Sequence, residues 1–132
     1  MATMKAVVLR EPHKIEVMEV PKPEITDPGD VLLRVDLTAI CGTDLHPYEG
    51  RIVIEDDVVL GHEFLGTVEA VGSGVGLISE GDRAVASCVV SCGHCYNCRR
   101  NRPGQCFGTM IFGLGVTFGG LSGGQAEYVI VP

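Results

Sequence analysis

"VLLRVDLTAICGTDLH", residues 31–46, begins as a strand and ends as a packet of metal-binding groups. Its apolar and β-branched residues read as a long buried strand that delivers Cys41 to the strand end. Gly42 lets the backbone turn sharply there. A turn opening a short helix points amide N–H groups toward the sulfur and favours its thiolate. Thr43, Asp44 and His46 follow at once. A second packet, "LGHEFLG" at residues 60–66, sets His62 beside Glu63.

Cys41 and His62 together make half of a Cys/His zinc site. A metal that performs chemistry keeps a coordination position open, so two or three protein ligands suit it better than four. Glu63 is the less direct candidate. On a regular strand it faces away from His62, so it reaches the metal only through a turn, or acts from behind the ligands. Asp44 is suited to hold the second imidazole nitrogen of His62. Thr43 and His46 form a different pair, a hydroxyl that passes a proton and a ring that receives one near neutral pH. Taken singly, each has an ordinary structural role: Thr43 a cap, Asp44 a solvated acid, His46 a surface histidine, Cys41 a core residue. Their combination points to a metal.

"CGHCYNCRRNRPGQC", residues 92–106, holds Cys92, Cys95, Cys98 and Cys106. Four thiolates in one loop close a tetrahedron about zinc and leave no position for water or substrate, which makes such a site structural. Iron–sulfur clusters also take four thiolates, and four unligated thiols are the plain alternative. Arg99, Arg100 and Arg102 are expected to offset the thiolate charge, and His94 to be solvated. Cys88, outside the set, reads as a small apolar core residue on a strand.

The rest of the chain reads as mainly β. Strands are expected at "MKAVVLR" (4–10) and "KIEVMEV" (14–20), with Pro12 interrupting their pairing, and around "GTVEAVGSGV" (66–75), "GDRAVASCVV" (81–90) and "GGQAEYVIVP" (123–132). No segment offers three turns of amphipathic helix. With 132 residues and no internal boundary, residues 1–132 are expected to form one domain. The formal net charge of −7 argues against nucleic acid as a partner. With no apolar run of 18 residues and no signal-like start, the expected location is cytoplasmic and off the membrane, where clustered cysteines read as metal ligands rather than disulfides.

In order along the chain, "CGTDLH", "LGHEFLGTVEAVG", "GDRAV", "CGHCYNCRRNRPGQC" and "GGQAEYV" resemble the N-terminal catalytic domain of zinc-dependent medium-chain alcohol dehydrogenases. "HPYEG" and "GGQAEYVIVP" lean toward the formaldehyde-dehydrogenase-like branch. The resemblance implies a GroES-like, partly open β-barrel with short helices and a zinc-binding lobe. It implies catalytic zinc on Cys41 and His62 with Glu63 adjacent, a Thr43–His46 proton relay, and a structural zinc on Cys92, Cys95, Cys98 and Cys106. It sets Gly42, Thr43 and His46 beside an NAD or NADP cofactor. The implied reaction oxidises a small alcohol to an aldehyde or ketone.

Neither "GSGVGL" (72–77) nor "GLGVTF" (113–118) completes a dinucleotide fingerprint, since Leu77 and Phe118 stand where the third glycine belongs. The Rossmann domain of the family is therefore expected outside this chain, which alone is expected to be inactive and to expose surface that invites homo-oligomers. The alternative is a GroES-like zinc scaffold or binding module without catalysis.

Overall fold

The computed structural model describes residues 2–55 and 57–132. Strands β1 (Thr3–Glu11) and β2 (Lys14–Pro21) form an antiparallel hairpin, paired from Thr3↔Pro21 to Glu11↔Lys14. The hairpin turns at Pro12, which has no N–H to pair, and at His13, whose φ of +67° suits a tight turn. Met4, Ala6 and Val8 of β1 alternate into the core. By contrast, β2, an edge of its sheet, is exposed or half-buried along its whole length.

Strand β3 (Val31–Thr38) corrects the expectation of a long buried strand. Only Val31, Leu32 and Leu33 are buried, and Leu37 is 64% exposed. Two irregularities in its pairing, between Leu32 and Leu33 and between Val35 and Leu37, account for this. Extra residues at such points bend a strand and re-aim its side chains.

A single 3-10 turn (Gly42–Asp44) and the one-turn helix α1 (Leu45–Tyr48) follow, then β4 (Val58–Val59) and β5 (Phe64–Val71). The expected strand at 81–90 is two short pieces, β6 (Arg83–Val85) and β7 (Val89–Val90), because each pairs with a different partner. Strands β8 (Met110–Ile111) and β9 (Tyr128–Val131) complete the set. The sheets run β2-β1-β4, β6-β5-β3-β9 and β7-β8, with an Ala6↔Ala126 bridge joining the first two. With 38% strand and 12% helix in open sheets, the architecture is the expected mainly-β, GroES-like one.

Leu33, Phe64, Phe112 and Val129 form the central cluster, with Phe64 and Phe112 edge to face at 5.1 Å. Truncating either ring costs about 3–5 kcal/mol. Phe64 is also the residue after Glu63, so the core lies directly beneath the second packet.

Candidate metal centres

Cys41 is the residue before the 3-10 turn, with extended backbone (φ −91°, ψ 154°). Its sulfur and the Asp44 carboxylate form a reciprocal capping box: Cys41 N–H donates to Asp44 Oδ2 at 2.8 Å, and Asp44 N–H faces the Cys41 sulfur. The Asp44 N–H also donates to Cys41 O at 3.0 Å, which closes the turn around the sulfur. Thr43 Oγ1 lies 3.6 Å from the same sulfur. Gly42 is exposed beside it, and His46 is half-buried one turn further, on α1.

His62 and Glu63 lie in a turn, since β5 starts only at Phe64. Gly61 creates that turn with φ +100°, and a Cβ there would stand 2.6 Å from Gln125 Cγ and 2.7 Å from Gln125 N. Because the segment is not a regular strand, its two side chains need not diverge. One donor atom each from Cys41, His62 and Glu63 comes within 4.8 Å of the others, His62 being buried and Glu63 exposed.

Sequence reasoning missed the strap that holds the two packets together. Gly124 N–H donates to Gly61 O at 2.9 Å, and Gln125 N–H to Leu60 O at 2.9 Å. The buried Gln125 side chain donates through Nε2 to Ala39 O at 3.3 Å, tying in the Cys41 loop. Gly124 admits no side chain, because a Cβ would overlap the Phe64 ring. The pair of glycines before a lone amide, "GGQ", was the available signal.

Asp44 is 4% exposed and His62 5% exposed. Asp44 Oδ1 lies 3.3 Å from His62 Nδ1, long for a hydrogen bond, and neither atom has another partner. A carboxylate this buried facing Nδ1 leaves Nε2 as the free ring donor. A thiolate, an imidazole nitrogen and a carboxylate oxygen are a donor set that suits zinc. The residues present therefore fit the metal.

The four sulfurs of Cys92, Cys95, Cys98 and Cys106 also lie within 4.8 Å of one another. Cys95 Sγ and Cys106 Sγ are 4.0 Å apart, close to the edge of about 3.8 Å for a tetrahedron built on zinc–sulfur bonds of roughly 2.3 Å. Amide N–H groups of Cys92 and Gly108 donate to the Cys106 sulfur at 3.3 Å, and Cys95 N–H to the Cys92 sulfur at 3.4 Å. Amide donors from Cys98 and Phe107 draw the Cys95 thiol down to about 6, and that of Cys92 draws Cys106 down. Burial, then the neighbouring thiols, push Cys98 up to about 11.

Backbone amides, rather than arginines, thus meet the sulfur charge. Arg99, Arg100 and Arg102 stay exposed, as does His94. Cys88 is corrected from core to surface: it lies in the break between β6 and β7 and is exposed. There it borders a cleft of about 550 Å³ shared with Leu37, His62, Glu63, Leu65 and Val85. No helix among the described residues is long and apolar enough to cross a membrane.

Comparison with known proteins agrees with this geometry. The sequence profile of the Alcohol dehydrogenase GroES-like domain matches residues 27–132. A zinc-type alcohol dehydrogenase B of Aspergillus flavus is 42% identical across 98% of this chain, which spans 29% of that enzyme. The solved structure of the alcohol dehydrogenase TADH from Thermus sp. ATN1 superposes with a TM-score of 0.95 at 44% identity, over 98% of this chain and 37% of that one. A short chain alcohol dehydrogenase from Escherichia coli CFT073, solved with NADH, gives a TM-score of 0.86 at 36% identity, over 100% and 37%. The chain thus spans about a third of the length of the proteins it matches. It belongs to the Alcohol dehydrogenase GroES-like domain family of the zinc-type, medium-chain alcohol dehydrogenases.

Proposed function

We propose that this chain is the metal- and substrate-binding part of a zinc-dependent, NAD(P)-linked dehydrogenase that oxidises a small alcohol to an aldehyde or ketone. The observation that carries the reading is the meeting of Cys41, His62 and Glu63, from two separate loops, around one point backed by the buried Asp44. When bound there, zinc supplies a Lewis acid for the substrate oxygen, and the nicotinamide cofactor accepts hydride.

The chain's own residues do the rest. Cys41 and His62 would hold the metal, and Glu63, exposed at the rim, would supply an oxygen donor beside them. Asp44 fixes the His62 tautomer and strengthens Nε2 as a donor. Thr43, beside the Cys41 sulfur, takes the alcohol proton and passes it toward His46, which releases it to solvent. Gly42, Thr43 and His46 border the cofactor. The Cys92–Cys95–Cys98–Cys106 lobe would hold a second, structural zinc. Unpaired cysteines fit a reducing, cytoplasmic setting, and all six here are unpaired. Within the family we assign the formaldehyde-dehydrogenase-like branch, on "HPYEG" and "GGQAEYVIVP".

Titration of the metal-free chain with Co²⁺ tests the sites: two equivalents are expected, and His62→Ala removes one while leaving the other. In the longer polypeptide that carries this domain, Cys41→Ser is expected to abolish alcohol-dependent reduction of NAD(P)⁺. A single equivalent untouched by His62→Ala, or unimpaired turnover by Cys41→Ser, rejects the assignment.

A further inference from the structure

Helix α1 carries His46, yet it is a single turn, closed by Glu49 N–H on Leu45 O at 2.9 Å and Gly50 N–H on Pro47 O at 3.1 Å. So short a helix does not hold itself in water, and its place is set by the elements around it. Its start is tied to the metal centre through Asp44, which accepts the Cys41 N–H and faces His62 Nδ1. Pro47, in its middle, is fully buried. Just past it, Arg51 N–H donates to His46 O at 2.8 Å.

The far end of α1 is held by a distant part of the chain, the turn between β1 and β2. His13 N–H donates to Tyr48 O at 2.7 Å. The His13 ring meets the Tyr48 ring edge to face, with 5.3 Å between centroids and 76° between planes. Pro12 closes on the same end, since a Cβ on Gly50 would stand 3.6 Å from its Cβ and Cγ. Asparagine tolerates a φ of +67° as well as histidine does, so the turn itself does not call for a ring at position 13. The contact with Tyr48 does.

We propose that His13 is a positioning residue for the proton relay: with Tyr48 it fixes the far end of α1, and through it the reach from Thr43 to His46. The inference rests on the relay proposed above, and it gives His13 no contact with substrate, cofactor or metal. Thr43 lies in the 3-10 turn and His46 on α1, so a swing of α1 about Asp44 changes the distance between them. A proton passes only within hydrogen-bond reach, about 2.6–3.2 Å. Displacing a reacting group by about 1 Å costs up to about 100-fold in rate. Cys41, His62 and Glu63 lie outside α1 and keep their places when its far end loosens.

Three variants test it: His13→Asn keeps the turn and its N–H but removes the ring, Tyr48→Leu removes the facing ring, and Tyr48→Phe keeps it. In this chain, amide exchange read by NMR at Glu49, Gly50 and Arg51 is expected to quicken about tenfold in the first two variants, with β5 unchanged. In the longer polypeptide, the single-turnover rate of NAD(P)H formation is expected to fall about tenfold in the same two, with half-saturating alcohol unchanged within about twofold. Tyr48→Phe is expected to restore both readouts. Tris added at fixed pH and ionic strength is expected to raise the rate of the two slowed variants, because a dissolved base takes the proton that a displaced His46 does not. Wild-type exchange in both ring-deleting variants overturns the proposal, as does a slowed rate that Tris leaves unrelieved. His46→Gln separates the two readings: if it turns over like wild type, the relay falls and this proposal with it. If it is slow while His13→Asn and Tyr48→Leu are not, the relay stands and the positioning role alone is overturned.

Discussion

Asp44→Asn isolates what the buried carboxylate does for His62. The asparagine keeps the shape and an oxygen to accept the Cys41 N–H, now bound at 2.8 Å. It removes the negative charge 3.3 Å from His62 Nδ1, and with it the pull that makes Nε2 a strong donor. Loss of such a partner weakens a metal site by about 10–100-fold, or about 1.4–2.8 kcal/mol. Asp44→Ala removes the acceptor as well, leaving the Cys41 amide unanswered and adding about 1–3 kcal/mol of lost stability. Competition between the chain and a chromophoric chelator for Zn²⁺ reads the affinity, and urea unfolding reads the stability. The equivalent held by the four-cysteine lobe serves as an internal control. Asparagine binding zinc as tightly as aspartate refutes the role given to the carboxylate, and alanine unfolding like asparagine refutes the role given to the capping box.

Gly61→Ala forces a side chain into a φ of +100° and onto Gln125, and is expected to cost about 3 kcal/mol. A melting temperature lowered by about 10 °C in circular dichroism is the expected result; a shift under about 2 °C contradicts the packing described. Gln125→Leu breaks the bond to Ala39 O and is expected to weaken metal at Cys41 and His62 while sparing the cysteine lobe, as Co²⁺ titration reads it. The metal-free, reduced chain is expected to gain stability as pH rises from about 6 to 9, because Cys95 is a thiolate when folded but a thiol when unfolded. Cys98, raised when folded, reverses the trend between about 9 and 11. Urea melts across that range check the maximum near pH 9; a flat profile rejects it.

The cysteine cluster was legible because it is written locally. Cys92, Cys95, Cys98 and Cys106 fall in one loop, so their spacing alone brings the sulfurs together. Cys41 and His62 were legible as residue types, but their meeting depends on Gly61 and on the Gln125 strap, which act across the fold and leave no period in the sequence. The burial of β3 was misjudged because apolar residues alone do not reveal a bulge. Leu37 belongs to the same run as Leu33, yet two irregular pairings separate them into surface and core. Cys88 was misplaced for a related reason: a mostly apolar run, interrupted only at Ser87, concealed a change of sheet between β6 and β7.

The Gln125 strap also imposes an order of assembly. Its bond to Ala39 spans 86 positions, so the Cys41–His62 cradle closes only after the chain has been made as far as Gln125. The four-cysteine cluster of the lobe needs only its own loop and is complete by Cys106. The four-cysteine loop is therefore formed by local chain alone, whereas Cys41 and His62 are brought together only once Gln125 has arrived.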